Sequence, residues 1–233
     1  MKLIKEIVDS FKDLTKTEWI ILFISWITVI ISFVFSTDGS ILSLIASLIG
    51  VTALIFVAKG YVLGQLLSVV FSVLYGIVSY SQAYYGEMIT YLGMTGPIAL
   101  AAFISWMRHP YKDTKEVEVS RLTKKSFVIL TLATIAVTTA FYFILKALGT
   151  ASLVVSTVSI ATSFFAASLT FLRSHYYGLA YASNDIVLIV LWVIAAIKDP
   201  SYIPMIMCFV AFLINDIYGF INWKRLSRVQ TSE

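Results

Sequence analysis

Residues 41–57 read Ile-Leu-Ser-Leu-Ile-Ala-Ser-Leu-Ile-Gly-Val-Thr-Ala-Leu-Ile-Phe-Val, without one charged side chain. A helix of about 20 apolar residues crosses the hydrocarbon core of a bilayer. The run is solidly apolar and does not alternate, so it reads as helix rather than barrel strand. In lipid a spanning segment must satisfy its own backbone hydrogen bonds, and a helix does so unaided. Seven further runs of this kind surround it. Trp19–Phe35 precedes it; Tyr61–Tyr80, Met88–Trp106, Phe127–Ala147, Leu153–Leu172, Tyr177–Ile197 and Tyr202–Trp223 follow. The expected fold is an all-α integral membrane protein with eight transmembrane helices.

Composition supports this class. Of 233 residues, 59% are hydrophobic and 13% charged, with mean hydropathy +0.90. A soluble domain carries about 25% charged residues. So little charge excludes a soluble enzyme, a nucleic-acid-binding domain and a disordered chain. Cys208 is the single cysteine, which excludes an internal disulfide and a two-cysteine metal site. The imidazoles, His109 and His175, sit beside basic residues at the ends of apolar runs, so neither metal nor cofactor is expected. The amphipathic lead Met1–Glu6 and first run lack a small-residue cleavage site, so that run reads as a retained span.

Charge sets the direction. With a cytoplasmic N-terminus, every Lys and Arg except Lys146 and Lys198 falls inside. Both termini are expected in the cytoplasm, with the chain multi-pass in a bacterial cytoplasmic membrane. The basic segment Met107–Ser126 reads as a solvated tether.

The chain also resembles itself. At the offset that carries Trp106 onto Trp223, Phe103-Ile104-Ser105-Trp106 meets Phe220-Ile221-Asn222-Trp223. Tyr85 meets Tyr202, Met88-Ile89 meets Met205-Ile206, and Leu74-Tyr75 meets Leu191-Trp192. Spans two to four and six to eight then form two three-helix units. The single span between them leaves both units in the same orientation. The layout is one N-terminal helix plus a 3+1+3 parallel repeat, a pattern of transporters with a site near the midplane. The expected divisions are 1–40 (amphipathic lead and first helix), 41–106 (first unit), 107–150 (basic loop and linking helix), 151–226 (second unit) and 227–233 (cytoplasmic tail).

Polar side chains within spans are functional suspects. They are Gln65 in span three, Asn184 and Asp185 in span seven, and Asn215 and Asp216 in span eight. Asn184 and Asn215 fall at similar depth and could face one cavity. An amide offers donors and an acceptor, which suits ribose hydroxyls and a base edge and not a bare ion. The alternative is interhelical glue. Asp185 and Asp216 could be protonated or could carry a coupling proton. As a protease dyad they lack a Gly-rich context. With no Gly-x-Ser-x-Gly elbow and no phosphate-cradling loop, an enzyme is not expected. Tyr75 and Trp192 occupy matching places in the two units, and Tyr218 lies one turn from Asn215, so flat rings could stack a planar base. Trp19, Tyr84, Tyr85 and Tyr202 read as interface belts. Pro97, flanked by Gly93 and Gly96, reads as a kink or hinge in span four. Residues 156–170 are rich in Ser, Thr and Ala, which permits close helix contact.

Tyr84-Tyr85-Gly86-Glu87-Met88 with the closing Trp106, Asn184, and Gly219-Phe220-Ile221-Asn222-Trp223 before Lys224-Arg225 together resemble the Pnu family of bacterial vitamin transporters. The resemblance runs from about Ile41 to Arg225. It implies a SWEET-like 3+1+3 layout, a homotrimer, and a facilitator whose small-molecule substrate is trapped through phosphorylation by a cytoplasmic kinase. The side chains read above give the expected substrate site: Asn184, Asn215 and Gln65 hydrogen-bond the sugar or base edge, Tyr75, Trp192, Tyr218 and Tyr177 stack or wall it, Asp185 and Asp216 complete it, and Pro97 flexes. Riboside-type members carry tryptophans where this chain has Tyr176-Tyr177-Gly178-Leu179-Ala180-Tyr181. Nicotinamide riboside and a (deoxy)ribonucleoside therefore stand as equal expectations. A thiamin or riboflavin facilitator is the alternative, and a non-transporting scaffold the competing class.

Overall fold

The computed structural model describes residues 2–35, 41–81, 85–150, 152–198, 200 and 203–232. Helix α1 (Lys2–Lys12) precedes α2 (Lys16–Val34), α3 (Ile41–Ala58), α4 (Val62–Ser81) and α5 (Tyr85–Thr90). A π-helical turn, Tyr91–Thr95, joins α5 to α6 (Gly96–Met107). Then follow α7 (Lys124–Ala147), α8 (Leu153–Phe171), α9 (Tyr177–Lys198) and α10 (Ile203–Ser232). Eight stretches among the described residues are long and apolar enough to cross a membrane, and they fall on the eight expected runs. The belt positions Tyr84 and Tyr202, and the side chain of Tyr85, lie outside what is described.

Local chemistry sets the ends. Thr15 and Glu18 form a reciprocal cap at the start of α2: the Glu18 amide donates to Thr15 Oγ1 at 3.3 Å, and the Thr15 amide donates to Glu18 Oε2 at 2.7 Å. Thr123 caps α7 by accepting from the Ser126 amide at 3.1 Å. Helices α3 and α8 stop the same way. Gly60 (φ 78°) and Arg173 (φ 56°) turn left-handed. The amides after them reach back five residues, Tyr61 to the Phe56 carbonyl and Ser174 to the Leu169 carbonyl, both at 2.9 Å.

Helix α2 packs antiparallel on α10 through a heptad stripe, Glu18, Leu22, Ser25, Val29 and Ser32, all buried. Each polar member meets α10: Glu18 the Tyr218 hydroxyl, Ser25 the Asn215 amide, and Ser32 the Cys208 thiol. Helices α3 and α4 pack together, as do α8 with α9 and α9 with α10. Among the described residues, the two groups α3–α6 and α8–α10 meet through α3 with α10, α6 with α8, and α8 with the π turn. Helix α7 presents Phe127, Ile129, Leu132, Ile135 and Phe143 outward, as a lipid-facing helix does.

Two expectations need correction. Residues 107–126 are not a solvated tether. Val117 is fully buried, and its amide donates to the Gly60 carbonyl at 2.9 Å. The Ser120 amide donates to the Arg173 carbonyl at 2.9 Å, and Gln230 Nε2 donates to the Val117 carbonyl at 3.2 Å. This segment straps together the ends of α3, α8 and α10. Residues 227–232 continue α10 rather than forming a separate tail, because Leu226 is buried against the strap and Gln230 is bonded to it.

Candidate functional site

The proposed site residues divide among several interfaces. On α9, Asn184 is buried, and its Oδ1 accepts from three α8 hydroxyls: Thr162 at 2.7 Å, Ser163 at 3.0 Å and Ser159 at 3.5 Å. Thus α8's Ser/Thr-rich face, read as a close-packing surface, also orients this amide. On α10, Asn215 is equally buried and turned the other way. Its Nδ2 donates to Ser25 Oγ and to the Ala211 carbonyl, both at 2.8 Å. Its Oδ1 has no partner. The two amides therefore serve different neighbours.

Between them, the buried Asp185 and Asp216 carboxyl groups lie against each other across α9 and α10. Asp185 Oδ2 is left without a partner. Close backbone approach makes the contact: a Cβ at Gly178 would lie 2.6 Å from the Asp216 carbonyl oxygen and the Phe220 nitrogen. Only glycine fits there.

The aromatic candidates separate. Tyr75 packs with Tyr91 of the π turn at 4.4 Å between centroids and with Phe71 at 5.5 Å. Tyr218 points to the basic end and donates to Glu18 Oε1 at 3.0 Å. Tyr177 is fully buried 4.9 Å from Trp223, in a plug with Trp106 and Leu169. Trp192 is half-buried on α9 and Gln65 is buried in α4. Pro97 opens α6 directly after the π turn, so the irregularity begins before the proline.

Sequence reading missed a buried charge pair. Lys59 donates to Glu18 at 3.0 Å, with Glu18 almost wholly buried. The Thr-x-x-Glu spacing of a capping box was its available signal. The pair borders a cavity of about 310 Å³ lined by Thr15, Lys59, Glu116, Tyr218, Asn222 and Arg225 among others. Burial pushes the Glu116 carboxyl up, against the pull of Lys59 and Arg225. A second cavity of about 340 Å³, lined by Phe11, Trp26, Leu48, Thr52 and neighbours, is almost purely apolar.

Eight apolar helices among the described residues, with buried amides and carboxyls held between them, define a multi-pass membrane protein. Residues 40–225 match the family model of the nicotinamide mononucleotide transporters, and the chain belongs to that family. It is 30% identical over 213 residues to the nicotinamide riboside transporter PnuC of Neisseria mucosa, covering 89% of this chain and 80% of that one. The protein of the same name from Haemophilus influenzae is 26% identical, with coverage of 97% and 96%. The crystal structure of the vitamin B3 transporter PnuC superimposes with a TM-score of 0.77 at 28% identity, covering 93% of this chain and 94% of that chain.

Proposed function

We propose that this transporter takes up nicotinamide riboside by alternating access between two parallel three-helix units, 41–106 and 151–226. The observation that carries the reading is a pair of buried acceptors without donors, Asn215 Oδ1 and Asp185 Oδ2, on adjacent helices. A buried acceptor left empty is costly, and ribose hydroxyls or a carboxamide would supply the missing donors. Asn184, Gln65, Trp192 and Tyr75 join the site in this reading when the helices rearrange around substrate, since the structure holds Asn184 against α8 and Tyr75 against Tyr91. Both termini and the basic end face the cytoplasm, since Lys and Arg concentrate there. Phosphorylation by a cytoplasmic kinase traps the substrate, and the assembly is a homotrimer. The names of the relatives favour nicotinamide riboside. A deoxyribonucleoside is the second reading, favoured by the tyrosines of Tyr176–Tyr181.

Titration calorimetry on the purified protein tests this, with nicotinamide riboside beside thymidine, deoxyadenosine, adenosine and thiamin. Binding of nicotinamide riboside alone supports the first reading, and deoxynucleoside binding the second. Binding of none of them refutes both.

A further inference from the structure

At the basic end, the two matching motifs make the same bonds in exchange. Ser105 and Trp106, closing α6, donate to the Phe171 and Thr170 carbonyls of α8 at 3.3 and 2.9 Å. Asn222 and Trp223 of α10 donate to the Ala58 and Val57 carbonyls of α3, both at 2.9 Å. In each case the acceptors are the last two helical carbonyls before a left-handed stop, at Gly60 in one unit and Arg173 in the other. The Val57 and Thr170 carbonyls already accept from the Gly60 and Arg173 amides at 3.0 Å, and the indoles add a second bond to each. Each unit thus bonds to the helix end of the other. The two indoles meet at 5.2 Å and are fully buried. Val57, Leu169 and Tyr177 pack against them, and Val117 of the strap closes the cluster.

We infer that this reciprocal clasp is the inner gate of the transport pathway: Ser105, Trp106, Asn222 and Trp223 hold the basic end shut and release together when it opens. The inference rests on the alternating-access reading. Its geometry follows from where the units touch. Among the described residues the broadest contacts between the units are α3 with α10 and α6 with α8, and these are the pairs that the clasp bridges. Four donors on four carbonyls are directional, so a small rotation of one unit breaks all of them, whereas apolar packing alone would slide. The indoles exclude water while the clasp is closed. On opening, water satisfies the freed carbonyls, so the released state carries no permanent unsatisfied group.

The test uses the full chain with Cys208→Ser and nitroxide labels at Met107→Cys and Val229→Cys, exposed positions on α6 and α10. Spin–spin distances are measured in lipid nanodiscs, and nicotinamide riboside uptake in proteoliposomes. Trp106→Phe and Trp223→Phe each keep a ring and remove one donor. Each should raise the open-to-closed ratio roughly fivefold, in the same direction. Ser105→Ala and Asn222→Ala, which leave the packing intact, should do likewise to a smaller degree. Wild-type uptake with unmoved distances in all four variants overturns the gate and leaves the transport reading standing. A fall in melting temperature without a change in distance has the same meaning, because a structural clasp would produce it. A wild-type chain without uptake, whose distances ignore nicotinamide riboside, overturns both.

Discussion

Removing the Glu18 charge should unlock the N-terminal span. Glu18 is almost wholly buried and collects donors from three places: the Thr15 amide at 2.7 Å, Lys59 Nζ at 3.0 Å and the Tyr218 hydroxyl at 3.0 Å. Breaking a buried ion pair from one side costs about 3–5 kcal/mol, since the other charge stays behind uncompensated. Lys59 lies at the rim with its side chain 11% exposed, so its stem can lift the ammonium to water. Glu18→Gln should therefore cost about 2–4 kcal/mol. Lys59→Met alone should also destabilise. The double variant Glu18→Gln/Lys59→Met should be less harmful than the sum of the two, by about 1–3 kcal/mol. Reversible unfolding in detergent micelles, followed by tryptophan fluorescence, closes the cycle. Strict additivity would refute the pair as the bolt between α2 and the ends of α3 and α10.

Asn184→Ala and Asn215→Ala should each weaken nicotinamide riboside binding by calorimetry while leaving the fold intact, because the stranded Thr162 and Ser25 hydroxyls can turn to carbonyls of their own helices; native affinity in both would sink the site. Gly178→Ala should push α9 off α10, cost about 1–3 kcal/mol and abolish uptake, whereas Gly93→Ala, whose Cβ meets nothing closer than 3.9 Å, should be tolerated; equal melting temperatures for the two would contradict the close-approach reasoning. The His175 imidazole is held below its usual 6.5 by burial and then by the Lys224 charge. The unfolded chain therefore takes up the proton first as pH falls, so this stability is complete above about 6.5 and is lost as pH drops through the folded-state value. Melting midpoints should decline over that window, and His175→Gln should flatten the decline; an unchanged slope would exclude His175 as its source.

The spans were legible because lipid leaves a backbone so few options. Ile41–Ala58 and Leu153–Phe171 follow the apolar runs to within one residue at each end. The extension of α10 to Ser232 was not, because its last two turns are polar outward and are kept helical by Leu226 and Gln230 docking on a strap distant in sequence. The strap itself looked like charge in water. Its buried residue is Val117, with Val119 and Leu122 packed against the same cluster, and the alternation Glu116-Val117-Glu118-Val119 is too short to mark a buried segment.

The buried polar positions were legible as a list and not as a geometry. Asn184, Asp185, Asn215 and Asp216 stand out because polar groups in hydrocarbon are rare, and the structure buries all four. Which way each turns is decided by neighbours that carry no such mark. Ser25 claims the α10 amide and the α8 hydroxyls the α9 amide, so the two amides serve different interfaces. Tyr218 was read on one face with Asn215, and Tyr177 as a wall of the same site, yet one is drawn to Glu18 and the other to Trp223. The self-resemblance was more informative than any single residue. Its strongest match, ending in Trp106 and Trp223, fell on the side chains that bond each unit to the other. Two copies of one motif can exchange the same bonds only if the helix ends they fill are also copies. The paired stops at Gly60 and Arg173 satisfy that condition although one is glycine and the other is not.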